Sequence, residues 1–225
     1  MKLSEVVPWG RTLAEYEAMF RLSAEDMGKP ILGCGDGPAS FNAEMTALGH
    51  KVVSIDPVYQ FSTEEIRSRI ERTYDTIISQ VKRNTDNYVW KNFPDADTLG
   101  QERMAAMEKF LADYETGKAQ GRYIAQSVAE LDLGDRKFDL GLCSHFLFLY
   151  SELFSLELHH QSIEKLLSVC QEVRIFPLLK LDCTPSPHLA PVMQKLADQG
   201  FDAAIETVDY EFQKGGNQML RIRHK

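Results

Sequence analysis

The chain has 225 residues, 26% charged and 44% hydrophobic, and its 25 basic residues against 33 acidic ones leave a net charge of −8. That length buries one good core and predicts a single domain over residues 1–225. The acidic balance disfavours binding a phosphate backbone, which calls for a basic surface, so no nucleic-acid partner is expected.

No apolar stretch approaches membrane-spanning length, so no membrane partner is expected either. Residues 1–10 lack a basic start followed by an apolar run, which predicts a cytoplasmic protein. Cys34, Cys143, Cys170 and Cys183 are far apart with no C-x-x-C pair, which supports neither a metal site nor a disulfide framework.

In chain order, Trp9-Gly10-Arg11 leads into a helix over 12–21, with Leu13, Tyr16, Met19 and Phe20 on one face. It reads either as a helix packed at the sheet edge or as one that holds Arg11 and Tyr16 over a ligand mouth, where a guanidinium grips carboxylates well. Pro30-Ile31-Leu32 begins a buried strand, and Gly33-Cys34-Gly35-Asp36-Gly37 lets the backbone turn sharply beside a ligand. A helix over 39–48 and a strand over 51–55 follow, and Asp56 ends that strand. A carboxylate about twenty residues beyond such glycines accepts hydrogen bonds from ribose hydroxyls.

The third glycine comes one residue too early for the dinucleotide pattern G-x-G-x-x-G, and Pro38 stands in its place, which disfavours NAD. The segment resembles motif I and motif II of the class I, Rossmann-like S-adenosylmethionine-dependent methyltransferases, with Gly33, Gly35, Gly37 and Asp56 as the matching positions. One departure stands out: where the family carries an acid two residues before the first glycine, this chain has Ile31, so Asp36 or another residue has to serve the cofactor's methionyl end.

Beyond Asp56 the strand alternation pauses. Residues 63–90 carry Ile66, Ile70, Ile77, Ile78, Val81 and Tyr88 at helical spacing, 92–95 break the pattern, and a second helix is predicted over 99–114. This helical insertion, 60–120, reads either as cover for a sheet face or as a lid that shapes the substrate pocket. Tyr59, Trp90, Tyr16 and Tyr150 are candidates to line that pocket.

Strands are predicted over 122–127, 138–143 and 172–178, with helical sequence over 151–170 broken near His159-His160, and a helix over 189–199. Adjacent histidines point about 100° apart on a helix and cannot share one metal ion, so they read as surface or partly buried. Residues 201–208 and 218–222, joined by a Gly215-Gly216 turn, form an antiparallel edge.

The resemblance implies a three-layer α/β sandwich around a seven-stranded, mostly parallel sheet in the order 3-2-1-4-5-7-6, the last strand antiparallel. It implies S-adenosyl-L-methionine as cofactor, with Gly33, Cys34, Gly35, Asp36, Gly37, Asp56, Pro57, Ser127, Val128, Ser144 and Arg11 as contacts. It also implies methyl transfer to a small-molecule substrate. His145, just beyond the fourth strand, is the candidate base. A non-catalytic binder of the same cofactor and a nicotinamide-dependent oxidoreductase remain as alternatives.

Overall fold

The computed structural model describes residues 5–225. Five strands run parallel: β1 (Ile31–Cys34), β2 (Val52–Ile55), β3 (Tyr123–Ile124), β4 (Phe138–Ser144) and β5 (Cys170–Phe176). Two more, β6 (Asp202–Thr207) and β7 (Gln218–Arg223), complete one sheet in the order β3-β2-β1-β4-β5-β7-β6, with β7 antiparallel to both of its neighbours. This is the sheet expected from the methyltransferase resemblance.

Alternate residues of each strand feed two apolar layers, because successive side chains point to opposite faces. Leu32, Cys34, Cys143, Val173 and Ile175 pack on α6 (Leu156–Val169) and α7 (Leu189–Asp198). Ile31, Leu140 and Leu142 pack on α1 (Leu13–Phe20) and α3 (Phe41–Ala47) through Tyr16, Met19, Phe20, Phe41 and Met45. Full burial of one such side chain stabilises by about 1.5–3 kcal/mol. The short helix α2 (Ala24–Met27) lacks an apolar period and depends on its Ser23 capping box and on Asp26, which accepts hydrogen bonds from Arg174 of β5.

The insertion holds α4 (Thr63–Arg83) and α5 (Ala96–Ala119). The helix predicted over 63–90 ends seven residues early, because Val89 N–H donates to the Phe212 carbonyl and Tyr88 bridges Gln213, which pulls that segment into extended pairing. Helix α5 outruns its apolar period at both ends, starting from an Asp95 cap that accepts from Thr98 N–H. No break occurs at His159-His160. Instead α6 is continuous and His159 is fully buried, its ring nitrogens lying 2.8 Å from the Ser155 carbonyl and 3.0 Å from that of Leu147, so the surface reading of this histidine is corrected. Among the described residues no helix is long and apolar enough to cross a membrane.

Candidate functional site

Strand order reverses between β1 and β4, and in such sheets ligands sit outside the carboxyl ends of the strands at that point. The glycine turn emerges there, with Gly35 at φ +66° and Gly37 at φ +52°, and Gly35 N–H donates back to the Ile55 carbonyl of β2. The demand for glycine is met partly by the protein's own side chains. A Cβ on Gly33 would lie 1.8 Å from Asp36 Oδ2, and one on Gly35 would lie 2.8 Å from the Phe146 side chain. A Cβ on Gly37 would meet only Asp56 Oδ2, at 3.9 Å, and would project into open cavity.

Asp36 folds back over Gly33 on the face that also carries Ile31. It accepts from the Tyr16 hydroxyl at 2.7 Å and the Ser54 hydroxyl at 2.6 Å. Burial raises its carboxyl, those two donors oppose the rise, and Asp56 adds to it, for a result of about 7. Asp56 accepts from Gly37 N–H at 2.9 Å and Val58 N–H at 2.8 Å. Burial raises this carboxyl too, against those two backbone donors.

The cavity has two lobes that share Val7, Gly37 and Asp56. One, of about 980 Å³ counting the part open to solvent, is lined by Arg11, Tyr16, Asp36, Ser144, His145 and Tyr150, and extends to Ile77 and Val81 of α4. The other, of about 1030 Å³ on the same count, is lined by Pro57, Ser127, Val128, Phe146 and Arg69.

His145 sits at φ +51°, with Ser144 Oγ 3.2 Å from its Nδ1 and its backbone N–H donating to the Phe176 carbonyl at 2.6 Å. Burial, then the charges of Arg11 and Arg103, hold its pKa well below the ordinary 6.5, so the ring is neutral. Behind it Glu15 of α1 caps its own helix, accepts from both terminal nitrogens of Arg103 at 2.5 and 2.6 Å, and accepts from the Tyr210 hydroxyl at 2.9 Å.

Of the candidate cofactor contacts, Gly35, Asp36, Gly37, Asp56, Ser144 and Arg11 line the first lobe, and Pro57, Ser127 and Val128 line the second. Gly33 and Cys34 line neither: Gly33 is covered by Asp36, and Cys34 is buried in the core. Among the candidate substrate contacts, Tyr16 and Tyr150 reach the first lobe. Tyr59 does not, because its ring is buried against Phe110, Tyr114 and Tyr123 while its hydroxyl donates to the Gly37 carbonyl. Trp90 stacks edge-on with Tyr88 and Phe212 behind the cavity wall.

Tyr88, read as a possible pocket aromatic, and Phe146, read at the ligand end of the fourth strand, do line the cavity, whereas sequence reasoning missed Tyr210 and Phe212 as cavity residues. Their aromatic character was visible, but no local spacing ties Phe212 to Tyr88; the isolated bridge between Tyr88 and Gln213 does that.

The residues present fit a nucleoside-bearing cofactor. A carboxylate has about four acceptor positions, and Asp56 spends two on backbone donors, which leaves two for ribose hydroxyls. The apolar slot beside it offers flat surfaces to a base, and Gly37 keeps the junction open.

No family model matches the chain. Among solved structures it is similar to magnesium protoporphyrin IX methyltransferase from Synechocystis PCC 6803 with bound SAM, at TM-score 0.48 and 14% identity over 93% of this chain and 77% of that one. It is also similar to the N-methyltransferase NodS from Bradyrhizobium japonicum WM9, at TM-score 0.47 and 10% identity over 93% and 92%. These likenesses concern the fold, and nothing about an acceptor follows from them. Sequence similarity reaches further: at 32% identity over 224 residues, 99% of this chain and 98% of the relative, the chain belongs to the same family as the uncharacterized protein MJ0045 of Methanocaldococcus jannaschii.

Proposed function

We propose that the protein is an S-adenosylmethionine-dependent methyltransferase acting on a small molecule. The observation that carries this reading is the pair of cavity lobes meeting at Gly37 and Asp56, at the carboxyl ends of β1 and β2. The bound cofactor would supply a methyl group on a sulfonium, open to in-line displacement.

Asp56 would hold the ribose hydroxyls, and the slot of Pro57, Ser127, Val128 and Phe146 would take the adenine. Asp36 lies on the face where Ile31 brings no acid and would serve the methionyl end. Ser144 and His145 at the end of β4 face the same lobe, and a neutral His145 can take a proton from an acceptor hydroxyl or amine. The residues otherwise act by alignment and by keeping water out, since Ile77 and Val81 of α4 close the far side of the cavity. A net charge of −8 and a concave site favour a small acceptor over nucleic acid.

Calorimetry with S-adenosylhomocysteine and, separately, NADH tests the cofactor. Binding of the former with no heat from NADH is expected; the reverse would replace the reading with an oxidoreductase. A non-catalytic binder is the second reading, favoured by the apolar Ile31. Transfer of labelled methyl from the cofactor to any component of a small-metabolite extract separates it from an enzyme.

A further inference from the structure

The first lobe carries a cation, Arg11, that has no ion-pair partner among the described residues. Arg11 lies in the extended stretch before α1 and donates from Nη1 to the Trp9 carbonyl at 3.1 Å. Its Nε is buried without a hydrogen-bond partner, and among the described residues no carboxylate lies within 4 Å of it as an ion-pair partner.

The carboxylate whose field reaches it, Glu15, is already engaged by Arg103, by Tyr210 and by Thr12 N–H. Two guanidinium groups thus draw on one carboxylate at the cavity wall, and the donors of Arg11 facing the lobe are left without one. A half-buried guanidinium without an ion-pair partner favours a bound anion.

The position of Arg11 says which part of a ligand would meet it. Arg11 lines the first lobe together with Tyr16, His145, Tyr150 and Tyr210, and does not line the slot proposed for the adenine, where Arg69 stands instead. Arg11 therefore belongs to the lobe beyond the nucleoside. Around that side the walls are apolar: Tyr88 and Phe212 are stacked with centroids 4.7 Å apart, and Ile77 and Val81 of α4 face the same space.

We propose that the acceptor is a small monocarboxylate with an apolar, ring-sized body, the carboxylate held by Arg11 and the body by Tyr88, Phe212, Ile77 and Val81. The proposal rests on the methyltransferase reading of the cavity. A guanidinium presents paired donors that match a carboxylate's two oxygens. A phosphate dianion exceeds the single spare charge, and an amine meets charge of its own sign.

The test is calorimetry on the protein saturated with S-adenosylhomocysteine, which permits no transfer. The probes are 3-phenylpropionate, its amide and 3-phenylpropylamine. The carboxylate is expected to bind at least tenfold more tightly than the amide, and the amine most weakly. Arg11→Met should reduce the carboxylate to the level of the amide, and Arg11→Lys should restore part of the difference.

Equal binding of the three probes, or a preference that survives Arg11→Met, overturns the proposal. So does a loss of S-adenosylhomocysteine affinity in Arg11→Met while methylthioadenosine, which lacks the carboxylate, binds as before; Arg11 would then serve the cofactor. Failure of the unaltered protein to bind S-adenosylhomocysteine overturns the cofactor reading instead. Retained S-adenosylhomocysteine binding in the variant shows that it is folded.

Discussion

Asp56 and His145 are the two residues whose roles separate most cleanly by substitution. Replacing Asp56 with alanine removes acceptors for ribose hydroxyls, and a charged hydrogen bond is worth about 1.5–3 kcal/mol, so cofactor affinity should fall roughly tenfold to over a hundredfold. Because Asp56 also accepts from Gly37 and Val58 N–H, Asp56→Asn is the control that keeps one oxygen for the turn. Calorimetry reads both, and an Ala variant within threefold of the original would place the ribose elsewhere. Gly35 is a poorer probe, since any side chain there meets Phe146 before it meets a ligand. His145 holds a left-handed backbone, which costs about 1–3 kcal/mol and is tolerated where a site needs it. His145→Gly should therefore unfold at higher urea than His145→Ala, by about 1 kcal/mol, although it removes the same ring. Equal midpoints would mean that the backbone relaxes when the ring is lost.

At the scale of elements, the two helices of the insertion have different ties. Helix α5 is fastened to the sandwich: Asp113 accepts from both terminal nitrogens of Arg122 at 2.7 Å, the Tyr114 hydroxyl donates to the Tyr59 carbonyl at 2.7 Å, and Arg103 reaches Glu15 of α1. The second half of α4 is held by Ile77 and Val81, which meet Tyr88, Phe93 and Leu99 in a small apolar cluster at the cavity, and by an exposed Lys82–Asp97 ion pair at 2.6 Å. If any part of residues 60–120 acts as a lid, it is that half-helix. Hydrogen exchange should show residues 74–83 gaining protection when S-adenosylhomocysteine binds, while residues 103–118 are already protected without it. Uniform behaviour across both helices would make the insertion plain cover.

For the whole molecule, two buried carboxyls pull the pH dependence of stability in opposite directions. Burial works to raise Glu15, but Arg103 outweighs it and holds the carboxyl at about 2 against an ordinary 4.5, so its contribution is present above pH 4.5 and lost as pH falls through 2. Asp36 is raised from 3.8 to about 7, so the folded state binds a proton that the unfolded state has released, and stability falls as pH rises between those values. His145, held well below 6.5 by burial, opposes this in the upper part of the same window, because there the unfolded chain binds a proton that the folded ring does not. Asp36→Asn should therefore gain stability relative to the original protein as pH rises from about 4 to about 7. Melting temperatures across pH 4–8 check this, and an unchanged profile would mean that Asp36 ionises as an ordinary acid.

What could be read from the chain alone was what short spacing encodes. The glycine turn, the acid after β2, the strands on either side and the antiparallel ending all depend on neighbours a few residues apart, and each stands where it was expected. Tertiary structure decided the rest. Tyr59 and Trp90 had the composition of pocket residues, yet the packing of α5 buried one and the pairing of Val89 with Phe212 turned the other behind the wall. Among the described residues Arg11 has no ion-pair partner, and Arg103, 88 residues beyond Glu15, engages the carboxylate whose field reaches it. Such outcomes depend on which distant groups compete for one partner, and periodicity along a chain carries no record of that competition.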